Sequence, residues 1–317
     1  PISDYLTTLP AWDGIDRIGE LAQRVPTANQ KWPEYFHTWL LAMVSQWTGM
    51  HRIHGNAMVP LLIGAQGDGK STFCKLLLPE ELRIYYTDRL DFTNKNDAER
   101  SLSRFALINI DEFDAITKRQ QAFLKHILQK SSVMSRQLYS SVIRENRRFA
   151  AFIGTTNDPC PLTDPSGSRR YLCIRTSGKI DTVTPIDYPQ LYAQLKCELA
   201  AGYRSWFNSE DEATIQQANA EFRQFDSLEE QFLSLYHKPT EAEAGTFRSI
   251  PTMIGMIRSQ YHSVKDDGVT YQKFGKMLKR LGYRHKHVMK GNEYLVIRNG
   301  DDGNMTADDG PKEPEPP

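Results

Sequence analysis

The stretch Gly64-Ala-Gln-Gly-Asp-Gly69-Lys70-Ser71 decides the fold of this chain. It matches the pattern GxxxxGK[ST], in which a glycine-rich backbone points consecutive N–H groups at phosphate oxygens. An apolar run at 58–63 precedes it and predicts a buried strand, and 70–78 follows it as a predicted helix. Strand, loop and helix in this order predict a nucleoside triphosphate site.

Each residue type in this loop has a physical role. The glycines let the backbone adopt conformations that a Cβ atom would block, and the helix that begins near Lys70 adds the positive end of its dipole. Lys70 is predicted to span the β- and γ-phosphates, Ser71 to ligate Mg²⁺, and Thr72 to lie beside the α-phosphate. The predicted cofactors are ATP and Mg²⁺, and the predicted nucleotide-binding residues are Gly64, Gly67, Asp68, Gly69, Lys70, Ser71 and Thr72.

Composition excludes several classes of protein. The formal net charge of the 317 residues is zero, so affinity for nucleic acid must come from local patches. The four cysteines have no CxxC spacing and no secretory signal precedes them, which predicts free thiols in the cytoplasm. No apolar run approaches the roughly 18 residues of a membrane-spanning helix, so we expect no membrane partner. The chain starts with Pro1 rather than Met, which indicates an excised piece of a larger protein.

Predicted strands and helices alternate between 58 and 176, which favours a parallel sheet covered on both faces. The candidate strands are 58–63, 82–86, 105–110, 149–153 and 171–175, and the candidate helices are 70–78, 96–103 and 117–130. The predicted fold class is therefore α/β, with a P-loop ATPase core built on a five-stranded parallel sheet.

The predicted domain organisation has five parts. These are an N-terminal helical segment (1–50), the P-loop ATPase core (51–186), a helical region (187–245), a winged-helix-like module (246–299) and a disordered acidic tail (300–317). In the module, predicted helices cover 250–261 and 270–281, with Thr270 as the N-cap of the second. A hairpin follows, with its turn at 290–293 and its return strand at 294–297.

Two acids end the apolar run that stops at Ile110. Asp111 is predicted to hold the Mg²⁺ shell, and Glu112 to polarise the attacking water. In isolation, two acids at a strand end are usually a solvated terminus, but here they follow a phosphate loop. The spacing from Lys70 fits a helix, a strand and a further helix, so we expect the two motifs on neighbouring strands.

Asn157 ends another predicted buried strand, after Thr155 and Thr156. Its amide is predicted to bind the γ-phosphate or the attacking water; the alternative is an Asx turn before Pro159. Arg169 and Arg170 follow Gly167 just before the strand at 171–175. That position predicts that at least one of the pair reaches the nucleotide of a neighbouring subunit as an arginine finger, and the sequence does not distinguish the two.

These elements, in this order, resemble the superfamily 3 helicase-type AAA+ ATPases. More closely, the chain resembles the virulence-associated protein E family of phage, plasmid and island replication proteins over about 4–235. The stretches that carry the resemblance are 9–17 (LPAWDGIDR), 64–71, 110–113, 154–157 and 167–171. The resemblance implies a homo-oligomeric ring, expected to be a hexamer, with ATP sites between subunits and single-stranded DNA in a central channel. It also implies a primase-like domain upstream, which this chain would lack.

The resemblance also indicates where DNA would be bound. An inserted hairpin before the strand at 149 would offer Arg136, Tyr139, Arg144, Arg147 and Arg148 to a phosphate backbone and a base. The alternatives are a solvated basic loop or salt bridges between subunits.

The C-terminal module concentrates basic residues in a chain of zero net charge, which is typical of nucleic-acid binding. These residues are Lys273, Lys276, Lys279, Arg280, Arg284, Lys286 and Lys290. Duplex DNA is the predicted ligand of this module, and docking to another protein is the alternative. His285 and His287 are assigned to phosphate or solvent, since no third metal ligand stands nearby.

The leading hypothesis is an ATP-dependent DNA helicase or translocase of the superfamily 3 type, which acts in replication of a phage, plasmid or other mobile element. The alternative is a nucleotide-gated DNA-binding assembly or initiator ATPase without processive unwinding. A small-molecule or nucleoside kinase would fit the phosphate loop but would leave the paired arginines and the winged-helix-like module without a role.

Overall fold

A computed structural model describes residues 1–49, 56–136, 143–163, 168–223, 227–240, 243–260, 264, 266–289 and 291–299. Tyr139, Lys290 and the predicted acidic tail lie outside these residues. Contacts divide the chain into two compact units, Pro1–Gln224 and Phe225–Pro317. The five-part division predicted from the sequence is finer than this and stays a prediction.

The first unit is built on a five-stranded parallel sheet, as predicted. Its strands are β1 (Val59–Ile63), β2 (Tyr86–Thr87), β3 (Leu107–Ile110), β6 (Ala151–Thr156) and β7 (Tyr171–Arg175), in the spatial order β2-β3-β6-β1-β7. Continuous apolar runs form these strands because both faces of the sheet are covered. In β1, Leu62 packs into the core on one face, while Leu61 and Ile63 pack into the core on the other.

Helices cover both faces of this sheet. They are α1 (Ile2–Thr7), α2 (Arg17–Gln23), α3 (Trp32–Thr48), α4 (Lys70–Leu76), α5 (Lys95–Arg104), α6 (Lys118–Leu128), α7 (Tyr188–Ala200) and α8 (Ser209–Ala218). Polar caps mark several of their starts; for example, the Thr117 side chain and Gln120 form a capping box at α6. Helix α3 is tied to the sheet by Trp47, whose indole N–H donates to the Ala106 carbonyl at 3.1 Å. No helix in the described part of the chain is both long and apolar enough to cross a membrane.

Two expectations about this sheet are wrong. Residues 82–85, predicted as strand, belong to a 3₁₀ helix, Glu80–Tyr85, that begins after Pro79, so β2 keeps only two residues. The strands that carry the two ATPase motifs, β1 and β3, are not neighbours, because β6 lies between them and pairs with both. Chain spacing allows this order because a helical crossover can skip a position in a parallel sheet.

Gly154 lets β6 fit between these two strands. A Cβ atom there would lie 2.9 Å from the Leu61 side chain and 3.4 Å from the Ile110 carbonyl oxygen. The close approach aligns the carboxyl ends of β1, β6 and β3 along one edge of the sheet. Gly154 therefore allows the close strand packing that positions the residues at this edge of the sheet.

An antiparallel hairpin, β4 (Ser132–Arg136) and β5 (Ile143–Arg147), is inserted between α6 and β6. The hairpin was predicted, but one of its assigned DNA contacts is wrong. Arg148 is fully buried, and its guanidinium donates hydrogen bonds of 2.7 to 3.4 Å to backbone carbonyls. The acceptors are Asn56, Ile127, Leu128, Lys130 and Ala150.

Arg148 thus stabilises the C-terminal end of α6, where the helix leaves carbonyl groups without partners in its own backbone. Burial lowers the pKa of its guanidinium to about 9. The sequence signal was misleading because a run of basic residues does not show which of them points into the core.

We expect Arg148→Met to destabilise the fold by about 3 kcal/mol or more, because it leaves buried carbonyl groups unpaired. Urea unfolding of the variant measures the effect. Arg144→Met is the matched control, since Arg144 is exposed on the adjoining strand and its loss should leave stability nearly unchanged. Equal stability of both variants would contradict a structural role for Arg148.

The second unit has its own core. Its elements are α9 (Ser227–Leu235), β8 (Tyr236–His237), β9 (Thr246–Ser249), α10 (Ile250–Gln260), α11 (Gly268–Arg280), β10 (His285–Val288) and β11 (Gly291–Arg298). Strand β11 pairs antiparallel with β8, β9 and β10. Apolar residues of α9, α10 and α11 pack against this sheet.

Two local predictions in the second unit are wrong. Helix α11 begins at Gly268, and its N-cap is Asp267, whose carboxylate accepts from the Thr270 N–H at 2.7 Å. Aspartate is favoured over threonine as an N-cap residue. Glu293, predicted in the hairpin turn, lies within β11 opposite Ser249 and Lys286. The pairing partner β9 was absent from the prediction, so the strand appeared shorter than it is.

Candidate nucleotide site

The carboxyl ends of β1, β3 and β6 meet at one edge of the sheet and form a cleft of about 350 Å³. In parallel α/β sheets, ligands bind outside this edge. The lining consists of residues 66–72 from the phosphate loop, Asp111 and Glu112 after β3, and residues 155–157 at the end of β6. The tertiary structure thus brings together three motifs that were separate in the sequence, while the paired arginines do not line this cleft.

The phosphate loop has the backbone that its glycines predict. Gly69, the N-cap of α4, has φ 85°, a left-handed conformation that favours glycine. A Cβ atom on Gly64 would lie 1.9 Å from the Thr176 hydroxyl, so only glycine lets the loop start this close to β7. Asp68 is held by the N–H of Ile180, which donates to the Asp68 carbonyl at 2.8 Å.

Lys70 lies under the loop with only 6% of the residue exposed. Its ammonium donates to the carbonyl oxygens of Gly64 at 2.8 Å and Ala65 at 2.7 Å, and to Asn157 Oδ1 at 2.9 Å. Burial lowers the pKa of this ammonium, while Asp68 and Asp111 act in the opposite direction. A triphosphate would favour the charged form, since an adjacent anion offsets the cost of burial.

Asn157 therefore contacts the residue that is predicted to hold the β- and γ-phosphates. In the Asx-turn alternative, the Asn157 amide would bond only to nearby backbone. The observed contact joins the end of β6 to the phosphate loop of β1. Any movement of the Lys70 ammonium would therefore change its hydrogen bond to Asn157.

Asp111 is the acceptor of two hydroxyl groups. The Ser71 hydroxyl donates to Asp111 Oδ1 at 2.8 Å, and the Thr155 hydroxyl donates to the same oxygen. Ser71 and Asp111 provide hard oxygen ligands of the kind that Mg²⁺ prefers, so the residues present fit this ion. Thr155 was not predicted as a site residue, although its place at the end of the strand before Asn157 was visible in the sequence.

We expect Thr155→Val to raise the Mg²⁺ concentration needed for half-maximal binding of a Mg²⁺-nucleotide by about tenfold or more, because Asp111 loses a hydrogen bond that orients it. Titration of a fluorescent nucleotide with Mg²⁺ measures this. Thr155→Ser keeps the hydroxyl and should behave like the unmodified chain. An unchanged Mg²⁺ dependence in Thr155→Val would show that this hydroxyl does not orient Asp111.

Glu112 has an unusual backbone. Its φ of 51° makes it the one non-glycine residue with a positive φ in the described part of the chain. Side chains in this conformation are strained, and such strain concentrates at functional sites. Glu112 is exposed at the cleft and precedes a short 3₁₀ helix, Phe113–Ala115, whose Phe113 is fully buried.

A second threonine joins the Glu112 segment to the Asn157 turn. The Thr156 hydroxyl donates to Asp114 Oδ1 at 2.5 Å and accepts from the Asp158 N–H at 3.0 Å. Neither Thr156 nor Asp114 was predicted as a site residue, and no pattern of spacing indicated that they pair. Their hydrogen bond links the end of β6 to the segment that follows β3.

The paired arginines lie at the opposite edge of the sheet. Tyr171 pairs with Val59 at the start of β1, so Arg169 and Arg170 precede the amino end of β7, whereas the phosphate loop follows the carboxyl end of β1. Five strand residues, about 17 Å, separate the two edges. This is too far for either guanidinium to reach the cleft of its own subunit, and a contribution to a neighbouring subunit stays a prediction.

The segment that carries these arginines is fixed in place. Asn219 donates through Nδ2 to the carbonyl oxygens of Ser168 and Tyr171, both at 2.7 Å. Arg169 forms an ion pair with Glu212 of α8 at 3.4 Å and is about half exposed. The arginines therefore belong to an ordered surface.

The candidate DNA contacts of the first unit are only partly described. Arg144 and Arg147 are exposed on β5, while the Arg136 side chain lies outside the described residues. Arg147 also donates to the Trp47 carbonyl at 2.7 Å and lies over the Phe149 ring at 4.6 Å. These contacts keep its guanidinium at the surface in a defined position.

In the second unit, three candidate lysines share the exposed face of α11, opposite the buried Phe274 and Leu278; they are Lys273, Lys276 and Lys279. Two other candidates are held by acids. Arg280 pairs with the buried Glu229, and Lys286 pairs with Glu293 at 3.2 Å. The DNA roles assigned to these two therefore compete with existing ion pairs, which the sequence could not reveal.

Comparison with known proteins identifies a family. The model of the virulence-associated protein E-like domain matches residues 6–224, more than half of the chain. No curated protein matches the chain.

Solved structures of the NrS-1 C-terminal region show weak similarity. Its apo structure has a TM-score of 0.44 and 13% sequence identity over 92% of this chain and 77% of that chain. The A form apo structure has a TM-score of 0.47 and 13% identity over 92% and 78% of the two chains. Similarity at this level carries no information about function. The match of the family model over residues 6–224 is decisive, and the chain belongs to the virulence-associated protein E-like domain family.

Proposed function

We propose that this chain hydrolyses ATP with Mg²⁺ and uses the reaction to move along DNA. The observation that carries the proposal is the convergence of Lys70, Ser71, Asp111, Glu112 and Asn157 on one cleft. Each has a partner or a backbone geometry suited to its predicted task. A nucleoside kinase would need the cleft but would leave the arginines at the far edge of the sheet without a role.

In the proposed reaction, the loop N–H groups and Lys70 bind the triphosphate, and Ser71 and Asp111 hold Mg²⁺. The metal ion neutralises charge on the phosphate oxygens when it is bound. Glu112 accepts a proton from the attacking water, whose oxygen forms a bond to the γ-phosphorus as the bond to the ADP oxygen breaks. Asn157 positions the γ-phosphate or the water.

Arg169 or Arg170 of an adjacent copy completes the site, because a strand length of about 17 Å separates a chain's own pair from its cleft. We propose an AAA+-type ring, a hexamer, with single-stranded DNA in its channel near Arg144 and Arg147. Such an assembly would act as a superfamily 3 type helicase in replication of a phage, plasmid or other mobile element.

We further propose that the second unit is a winged-helix-like module that binds duplex DNA. The order β9-α10-α11-β10-β11, with a hairpin at its end, supports this assignment. So does the exposed face of α11, which carries Lys273, Lys276 and Lys279.

The test is steady-state ATPase activity with and without single-stranded DNA, together with a strand-displacement assay. We expect DNA to stimulate turnover and duplex to be opened. ATP hydrolysis that ignores DNA and opens no duplex would reject the motor and leave a nucleotide-gated assembly factor. A chain that binds no ATP would reject the nucleotide site itself.

Replacing Lys273, Lys276 and Lys279 together with alanine should weaken binding of duplex DNA and flatten its salt dependence. Each lost phosphate contact is expected to reduce the slope of log K against log salt by about 0.9. Affinity measured by fluorescence anisotropy at several salt concentrations checks this. Lys238→Ala is the control, because Lys238 lies over the Tyr283 ring at 5.4 Å rather than on α11. An unchanged slope in the triple variant would favour a protein partner for this face.

A further inference from the structure

Two aromatic side chains of the first unit are left in solvent. Tyr203 and Trp206, in the loop between α7 and α8, are 55% and 61% exposed, whereas Trp32, Trp39 and Trp47 are buried. Tyrosine and tryptophan are enriched in the centres of protein interfaces because they bury a large apolar area and lose little conformational entropy. Two such residues in one short loop indicate a surface that another molecule covers.

This loop adjoins the surface that carries the paired arginines. Arg204, between the two aromatic residues, forms an ion pair with Asp211 in the first turn of α8 at 2.6 Å. The next residue of that turn, Glu212, pairs with Arg169 at 3.4 Å. The aromatic loop and the arginines are therefore held together by one helical turn.

A complementary surface lies beside the nucleotide cleft. Val183 is 89% exposed and follows the segment whose Ile180 N–H donates to the Asp68 carbonyl at 2.8 Å. Its own N–H donates to Asp181 Oδ1 at 3.0 Å, so the exposed valine has a fixed position. The exposed carboxylates of Asp111 and Glu112 lie in the same cleft. The cleft edge thus presents an apolar side chain, Val183, beside two acids. The aromatic loop presents two apolar side chains, Tyr203 and Trp206, beside the paired arginines, so the two surfaces are complementary.

We propose that a second copy of this chain covers the aromatic loop, with Tyr203 and Trp206 of one copy packed against Val183 of the next. The contact joins two different surfaces, so it is heterologous and can repeat from copy to copy until a ring closes. It would direct Arg169 and Arg170 towards the neighbouring nucleotide cleft. The catalytic part of this inference rests on the proposed function, while the contact itself does not.

The test uses Trp206→Glu and Val183→Glu, each analysed by sedimentation velocity in the presence of Mg²⁺ and a non-hydrolysable ATP analogue. Each variant alone should assemble at least about tenfold more weakly than the unmodified chain, because a charge is buried in an apolar contact. Ile84→Glu is the matched control, since Ile84 is 72% exposed but belongs to the 3₁₀ helix Glu80–Tyr85 and not to either proposed surface. Thermal unfolding checks that the variants fold.

A mixture of the two variants gives the sharpest result. The intact aromatic surface of Val183→Glu can bind the intact valine surface of Trp206→Glu, so heterodimers should form while larger assemblies do not. Hydrolysis should return only in the cleft of the Trp206→Glu subunit. Adding Lys70→Ala to that subunit should abolish it, and adding Lys70→Ala to the other should not.

Normal assembly of either single variant, or a mixture without heterodimers, would overturn the proposed contact. If heterodimers form but neither they nor the unmodified chain hydrolyse ATP, the contact stands and the proposed function fails. Assembly and hydrolysis are measured separately, so the two failures are distinguishable.

Discussion

Replacing Lys70 with alanine is expected to abolish ATP hydrolysis, with a loss of at least about 10²–10³-fold in kcat. The ammonium lies beneath the loop within 2.9 Å of acceptor oxygens of Gly64, Ala65 and Asn157. It is the one loop residue with a full positive charge, so its removal leaves the β- and γ-phosphates without a point cation. DNA-stimulated turnover and strand displacement should disappear together.

Lys75→Ala is the matched control for this variant. Lys75 is on the same helix, α4, but is exposed, so its loss should change kcat less than about twofold, as expected for a surface substitution. Measured kcat and KM for the two variants separate the role of Lys70 from a general effect of charge on α4. Substantial hydrolysis by Lys70→Ala would show that the cleft is not the site of the reaction.

Replacing the paired arginines is expected to reduce kcat at least as strongly, because the arginine of one subunit would act in the nucleotide cleft of the next. Arg169→Ala or Arg170→Ala should lower kcat by about 10³–10⁵-fold for whichever residue is the finger. Nucleotide binding should change little, because the pair lies at the far edge of the sheet from its own phosphate loop. Titration of a nucleotide analogue and steady-state turnover distinguish these two effects.

Mixing subunits tests whether the arginine acts across the interface. Lys70→Ala subunits retain their arginines, and subunits with both arginines replaced retain their phosphate loop. Some activity should therefore return when the two inactive proteins are combined. A mixture that stays inactive while its subunits co-assemble would place the arginines outside the reaction. Glu212→Gln is a useful control, since it removes the ion-pair partner of Arg169 without removing either arginine.

The local elements around the phosphate loop could be predicted because their determinants are neighbours in the chain. Gly69 marks the start of α4, Thr117 caps α6, and the apolar run 171–175 is the whole of β7. The match of the family model confirms the resemblance drawn from five short stretches. The five-stranded parallel sheet is confirmed for the same reason, since continuous apolar runs need cover on both faces.

Other features depended on partners that are distant in the chain. Strand β6 lies between β1 and β3 because the crossover connections determine the strand order, and apolar composition is the same for every order. Arg148 is buried among carbonyl groups of Asn56, of the end of α6 and of Ala150, whereas the sequence shows only a basic run. Arg280 pairs with Glu229, more than fifty residues earlier, although its helix face reads as a uniform basic stripe.

The sequence by itself determined which residues are candidates for this protein's site, because the phosphate loop, the acids at 111 and 112, Asn157 and the paired arginines are each recognisable from residue type and spacing. Only the tertiary structure decided how these groups relate. It brought Thr155 to Asp111 and Thr156 to Asp114, and it put the arginines at the opposite edge from the cleft. Contacts across a sheet follow from strand order and register, which long-range packing sets and which no local pattern records.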